Sequence, residues 1–233
     1  MIPIRDDTPR YSTPYVTWFI ITLNVLVFLF ELSVDVQGPH ALNNFIGEFG
    51  VVPRHWLRLA NAPHVSLPGL FMPIFTSMFL HGSWWHLIAN MWFLWIFGDN
   101  VEDYLGHFVY LLFYLLTGVA AAALYILLDA SSTVPTIGAS GAIAGVMGGY
   151  FMVYPRSRVL TWFPPIFFFY LPAWVILGYW FVYQFLSGTA VSAGGQRDMG
   201  GIAFWAHVGG FVAGMVMIKL LPQRQKTGRY AAW

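Results

Sequence analysis

Four polar side chains stand inside long apolar stretches of this sequence, and together they could carry out acyl-transfer chemistry. They are Ser140, His207, His86 and Asn90. A serine hydroxyl is a weak nucleophile, and His207 could take its proton and later return it to a leaving amine. Ser140 begins a predicted helix, so its backbone N–H is free to donate to an oxyanion, together with His86 and Asn90. No carboxylate within a predicted span is placed to orient the histidine, which indicates a dyad and not a triad.

The spacing of these residues predicts that they share one depth in a membrane. Ser140 and His207 each lie fifteen residues before the proline that ends their helix. At about 1.5 Å per residue, both are ~22 Å from the inner helix ends, within a hydrocarbon core about 30 Å thick. His86 belongs at a similar height in another span, and Asn90 lies one turn deeper on the same helix face.

Small residues surround both members of the candidate pair. Gly138 and Gly141 flank the serine, and Gly210 and Gly214 follow the histidine on one face of its helix. Because small residues let membrane helices approach closely, two such faces could bring the hydroxyl and the imidazole within hydrogen-bond reach.

The composition requires a membrane environment for these elements. The chain is 58% hydrophobic and only 9% charged, whereas a soluble domain carries roughly 25% charged residues. We therefore predict an all-α polytopic membrane protein with a bundle of six spans of about 20 residues. The absence of cysteine excludes disulfides, a thiolate nucleophile and cysteine-based metal sites. The predicted spans are 15–32, 79–101, 108–128, 140–155, 166–187 and 201–221.

The basic residues predict the orientation of the bundle. Eight Lys and Arg fall in inner segments and three in outer segments, so both termini are expected to be cytoplasmic. The predicted division is a short cytoplasmic tail over residues 1–14, a membrane domain over 15–221 and a basic cytoplasmic tail over 222–233. The loop at 188–200 is rich in Gly, Ser and Ala and is expected to be mobile. The short tails favour a prokaryotic inner membrane.

Each candidate residue also has a plainer explanation. A serine among glycines often only packs helices together, and a membrane histidine often bonds a neighbouring helix or lines a pore. His86 and Asn90 could form one polar seam between helices. A channel or transporter that moves protons through His86 and His207 would need acidic relay partners and repeat symmetry, and neither is evident. There is no His-Glu-x-x-His motif and no pair of mid-span Asp residues, so metalloprotease and aspartyl chemistry are disfavoured and no metal site is predicted.

Four segments of the chain resemble motifs of the rhomboid family of intramembrane serine proteases. The likeness extends over nearly the whole chain, in order and with a matching number of spans. The segments are His81-Gly-Ser-Trp-Trp-His86-Leu-Ile-Ala-Asn90, Gly98-Asp-Asn-Val-Glu102-Asp-Tyr-Leu-Gly106, Gly138-Ala-Ser140-Gly141 and Ala206-His207-Val-Gly-Gly210-Phe-Val-Ala-Gly214.

The resemblance implies a six-helix rhomboid core with a serine protease site. Ser140 would attack a peptide bond of a single-span or otherwise membrane-anchored protein in the bilayer, and His207 would be the general base. His86, Asn90 and the Ser140 N–H would form the oxyanion hole. The resemblance further implies a gate made by the fifth span and the loop that follows it, and no cofactor, metal or nucleic acid. It leaves the oligomeric state open.

Two details of the resemblance concern residues outside the dyad. His81 and Glu102 would have structural roles. Some members carry a bulky aromatic residue four positions after the nucleophile, packed on the catalytic histidine, but here that position is Ala144. Another side chain must then orient His207. A member that had lost catalysis and only bound membrane proteins would lack Ser140 or His207, and both are present.

Overall fold

The chain folds into a helical bundle with a small sheet at the end opposite Ser140. The computed structural model describes residues 1–194 and 203–224. A single 3₁₀ turn, Ser77–Phe79, follows α4 in this part of the chain. The elements are β1 (Ile2–Asp6), α1 (Tyr15–Asp35), α2 (Ala41–Phe49), α3 (Pro53–Ala60), α4 (Leu67–Thr76), α5 (Trp84–Leu105), α6 (His107–Leu128), α7 (Ser140–Val153), β2 (Arg158–Phe163), β3 (Phe167–Pro172), α8 (Ala173–Gly194) and α9 (Phe204–Leu220).

The prediction of a mostly helical membrane fold is confirmed, since α1, α5, α6, α7, α8 and α9 fall on the six predicted spans. The predicted start of the fifth span is wrong. Residues 166–172 do not open a helix, because Phe167–Pro172 forms β3 and α8 begins only at Ala173. Pro172 disfavours helical backbone at the residue before it, so the aromatic run stays extended and pairs with β2.

The sheet ties the N-terminal segment to the bundle. Its order is β1-β2-β3 with antiparallel neighbours. The indole N–H of Trp92 in α5 also donates to the Pro3 carbonyl at 2.7 Å. The first residues, which the sequence suggests as a tail, therefore contribute a strand. The domain boundaries at residues 14 and 221 stay predictions.

The helices differ in their suitability for crossing a membrane. In the described part of the chain, α1, α6 and α8 are long and apolar enough to cross by themselves. Helix α5 has 22 residues but carries Asp99, Glu102 and Asp103 near its end. The 14 residues of α7 rise only about 21 Å, yet every residue from Gly141 to Tyr150 is buried. Because α7 is enclosed by protein, it needs no full lipid-facing length, and six crossings stay a prediction.

Parts of two predictions fall outside the described residues. Helix α8 continues to Gly194, so the first part of the loop predicted at 188–200 is helical. Residues 195–202 and 225–233 lie outside the described ranges, and with them lie Arg197, Lys226 and Arg229 of the charge-based orientation.

Helices α7 and α9 touch through their backbones. A Cβ placed on Gly210 would collide with the carbonyl oxygen of Gly141, and one placed on Gly214 would collide with that of Gly145. Because Gly141 faces Gly210 and Gly145 faces Gly214, the two helices run in the same direction. The glycines thus allow a separation that any side chain would prevent.

Replacing Gly214 by Ala should force α7 and α9 apart. We expect a destabilisation of about 1–3 kcal/mol, the usual cost of overpacking, measured as a lower midpoint of thermal unfolding in detergent. The control is Gly178→Ala in α8, where the nearest atom to a new Cβ is Phe151 Cε2 at 3.9 Å. Equal unfolding midpoints for the two variants would contradict this account of the helix contact.

Glu102 caps the start of α1 from a different helix. The N-terminal N–H groups of an α-helix lack intrahelical acceptors, and Pro14, which precedes α1, offers no side-chain cap. The Glu102 carboxylate accepts from the Val16 N–H at 2.9 Å and from the N–H and hydroxyl of Thr17, both at 2.7 Å. The oxygen that accepts from Val16, Oε1, also lies 2.6 Å from His107 Nδ1. Glu102 therefore joins α1, α5 and α6 at the end of the bundle opposite Ser140.

Replacing Glu102 by Ala should leave the first N–H groups of α1 buried without acceptors. The expected loss is about 3 kcal/mol or more, because several bonds to a buried charge are broken together. Thermal unfolding in detergent measures it, with the exposed Glu48→Ala in α2 as the matched control. An unfolding midpoint for Glu102→Ala equal to that of Glu48→Ala would be incompatible with this cap.

Candidate active site

Ser140 and His207 meet across the contact between α7 and α9. The distance from Ser140 Oγ to His207 Nε2 is 2.8 Å, an ordinary hydrogen-bond length. Ser140 is the first residue of α7 and His207 lies in the first turn of α9. Each is thirteen residues from the last residue of its helix, Val153 and Leu220 respectively. The structure thus places the two side chains at one level of two parallel helices.

The second nitrogen of the imidazole is held by a residue that the sequence analysis does not identify. His207 Nδ1 lies 2.8 Å from Gln184 Oε1 in α8. Trp180, one turn earlier in α8, covers the imidazole with ring centroids 5.7 Å apart and planes tilted by 39°. Gln184 carries a strongly polar amide within a mainly apolar span, and that signal could have marked it in the sequence.

Ala144 leaves no room for the aromatic residue that some rhomboid sequences have at this position. Its side chain is fully buried, and a Cβ on Gly210 would lie 3.4 Å from the Ala144 Cβ. Ala144 therefore packs against α9 near Gly210. Support for the imidazole therefore comes from α8 in place of α7.

His86 and Asn90 approach the Ser140 segment from α5. A Cβ on Gly138 would lie 2.6 Å from His86 Nε2 and 3.6 Å from Asn90 Nδ2. Within the described residues, Asn90 Nδ2 is buried without a hydrogen-bond partner. An unsatisfied buried donor is costly, and this one lies beside the turn that leads into Ser140.

The turn before α7 depends on Gly138. Its φ of 120° lies in a region that favours glycine, and its N–H donates to the Ser77 carbonyl at 2.8 Å. This conformation lets α7 begin at Ser140, whose N–H is among those without an intrahelical acceptor.

These side chains face a common cavity of about 710 Å³. The cavity brings together the candidate nucleophile, the candidate base, the amide on α8 and the two candidate oxyanion donors of α5. These residues are Ser140, His207, Gln184, His86 and Asn90.

The two residues with expected structural roles lie in different places. His81 is buried just before α5, its N–H donates to the Glu31 carboxylate at 3.0 Å, and its ring centroid lies 5.0 Å from that of His86. It therefore borders the site. Glu102 lies at the other end of α5 and acts on α1. No group of three or more His, Asp or Glu residues in the described ranges is arranged to hold a metal ion.

Comparison with known protein families matches residues 68–224 to the Rhomboid domain. The chain belongs to the rhomboid family. The matched region begins in α4 and extends past α9, so it includes all the residues of the cavity.

Several curated rhomboid relatives align with 61% to 63% of the chain. Rhomboid protein 1, mitochondrial, of Saccharomyces cerevisiae is 30% identical over 150 residues, or 61% of this chain and 40% of the relative. Rhomboid-like protein 11, chloroplastic, of Arabidopsis thaliana is 31% identical over 63% of this chain and 51% of the relative. The human presenilin-associated rhomboid-like protein, mitochondrial, is 30% identical over 63% of this chain and 37% of the relative. The chain therefore spans about half or less of the length of these relatives.

The comparisons correct the predicted location of this rhomboid protein. The short tails favour a prokaryotic inner membrane, but the relatives it matches are named as mitochondrial or chloroplastic proteins. Tail length reports nothing about the membrane in which a bundle resides, which is why the inference fails. The integral membrane character is supported.

Replacing Gly138 by Ala should disturb the site while leaving the bundle folded. The new Cβ meets the His86 ring and strains the positive φ, so we expect labelling of Ser140 by a fluorophosphonate to slow by roughly tenfold or more. The matched control is Gly47→Ala in α2, where a Cβ meets nothing within 4 Å. Equal labelling rates for the two variants, at equal unfolding midpoints, would contradict the assigned role of this turn.

Proposed function

We propose that this rhomboid-family chain is an intramembrane serine endopeptidase that cleaves membrane-anchored proteins. The observation that carries the proposal is the 2.8 Å hydrogen bond between Ser140 Oγ and His207 Nε2. Both residues line a cavity large enough to admit an unwound peptide segment. Membership of a family that consists generally of intramembrane serine proteases supports the same conclusion.

The first half of the proposed reaction acylates Ser140. As the hydroxyl oxygen attacks the scissile carbonyl carbon, its proton passes to His207 Nε2, and a tetrahedral oxyanion forms. When the intermediate collapses, the C–N bond breaks and the histidine returns the proton to the leaving amine. In the second half, water attacks the acyl-enzyme with the same histidine as base. The reaction then releases the new carboxyl terminus and restores the serine hydroxyl.

The donors for the oxyanion would be Asn90 Nδ2, the His86 ring and the Ser140 N–H. The amide group of Asn90 is the best supported, because it is buried without a partner in the described structure and lies beside the turn before Ser140. A donor already desolvated and fixed in the ground state requires little rearrangement when negative charge develops. No metal or cofactor enters the proposed reaction, since Ser140 and His207 carry both proton transfers.

The expected substrates follow from the hydrogen bonding of a peptide backbone within the membrane. Backbone groups of a membrane helix are all hydrogen-bonded within the helix and cannot reach a nucleophile. The substrate must therefore unwind near the scissile bond. We expect helix-weakening residues there and small residues next to the bond.

The decisive experiment is cleavage of a tagged single-span substrate by the purified protein in liposomes. Ser140→Ala and His207→Ala should each reduce cleavage by a factor on the order of 10³ or more, because the two residues act as a unit. Ser140→Ala should also abolish covalent labelling by a fluorophosphonate.

The matched controls are Ser33→Ala in α1 and His55→Ala in α3, both exposed and remote from the cavity. Their cleavage rates should equal that of the wild type. Undiminished cleavage by Ser140→Ala would refute the proposed mechanism. Capture of the substrate by the wild type without any cleavage would instead favour a rhomboid protein that only binds its partners.

A further inference from the structure

The imidazole of His207 bonds to two helices at once. Nε2 faces Ser140 in α7, and Nδ1 lies 2.8 Å from Gln184 Oε1 in α8. We propose that Gln184 is a positioning residue that fixes the tautomer and the plane of His207, so that the site works as a Ser-His-Gln relay. This inference rests on the proposed protease function and adds to it a residue outside the predicted dyad.

The tautomer decides whether His207 can act as a base. A neutral imidazole carries one proton, and the nitrogen that carries it cannot accept another. An amide oxygen facing Nδ1 accepts a hydrogen bond and keeps the proton there, which leaves the lone pair of Nε2 free for the Ser140 hydroxyl. With no acceptor at Nδ1, the proton can move to Nε2, and the hydroxyl then has no base. This is the same task that a carboxylate performs in a catalytic triad.

Helix α8 also restrains the rotation of the ring. Trp180 and Gln184 are one turn apart on α8, so both face α9. The indole lies 5.7 Å from the imidazole and 6.0 Å from the ring of Phe211, between centroids. A histidine held by one hydrogen bond at each nitrogen and packed against an indole has little freedom to turn away from the serine.

Gln184 is buried and faces the site, whereas its neighbours lie on the exposed face of α8. Its relative exposure is 7%, whereas its neighbours Tyr183 and Phe185 are 55% and 44% exposed. A buried amide in an apolar helix needs a partner, and among the described residues its carbonyl oxygen meets His207. A simple interhelical clamp would also satisfy this need, so the test must separate clamping from positioning.

Three variants make that separation. Gln184→Leu removes the hydrogen-bond acceptor, and the leucine side chain occupies the space of the amide so that a water molecule does not replace it. Gln184→Glu keeps an acceptor of the same length and should retain function. Thr189→Val is the matched control, because it also removes a polar group from α8, and within the described residues that hydroxyl donates to the Leu186 carbonyl of its own helix.

The measurements are kcat and KM for cleavage of the single-span substrate in liposomes, with the unfolding midpoint of each variant. For Gln184→Leu we expect kcat to fall about tenfold to hundredfold, since the base is only part of the time in the correct tautomer. KM should stay within about twofold, because the residue does not hold the substrate. Gln184→Glu should recover most of the lost kcat, and Thr189→Val should match the wild type.

Each result tells for or against the positioning role. Wild-type kcat in Gln184→Leu overturns it, as does a rise in KM at constant kcat, which would mark a substrate contact. A loss in Gln184→Glu as large as in Gln184→Leu also overturns it, because the acceptor would then not matter. If the leucine variant does not fold, Gln184→Met removes the amide while keeping its length. Failure of the protease proposal is seen separately, as cleavage that survives Ser140→Ala.

Discussion

The close backbone contact between α7 and α9 is the constraint on which the site depends. Lipid chains are as apolar as the helix surfaces, so the hydrophobic effect does not drive the helices together. Their separation is set by the side chains that pack between them. Gly210 lies on the Gly141 carbonyl and Gly214 lies on that of Gly145. A methyl group at either position would collide with a carbonyl oxygen of α7, and the resulting separation of the helices would lengthen the 2.8 Å contact between Ser140 and His207. The same glycines thus allow the close packing of α7 and α9 and the short distance between Ser140 and His207.

The other polar groups of the site are supported by helices that serve different ends. Helix α5 brings His86 and Asn90 to the turn before α7 at its start, and at its end Glu102 caps α1. Both ends of one helix thus carry buried polar groups. A displacement of α5 would therefore leave buried polar groups without hydrogen-bond partners at both ends of the bundle. Such a helix can be less apolar than its neighbours because its polar groups meet protein, and this explains the acidic residues of α5.

The approach of Ser140 and His207 could be predicted because its determinants are local in the sequence. The distances of Ser140 and His207 from the ends of their helices set a shared depth, and the glycine spacing indicates which faces meet. Gln184 could not be assigned in this way, since its role depends on the rotation of α8 relative to α9, which no spacing encodes. The start of α8 is missed for another reason. An apolar aromatic run satisfies a helix and a strand equally well, and only pairing with β2 decides between them.

The support of His207 by α8 changes how the site should be viewed. In the proposed mechanism, Ser140 and its base His207 stand on two helices in backbone contact, whereas Gln184 and Trp180, which contact the imidazole, stand on a third. That helix presents large apolar side chains outward, and a smaller share of it is buried than of α6. A bond from such a peripheral helix to Nδ1 is the part of the relay most easily broken by movement. Under this proposal the core of the bundle fixes the position of Ser140, whereas the tautomer and orientation of His207 depend on the position of α8.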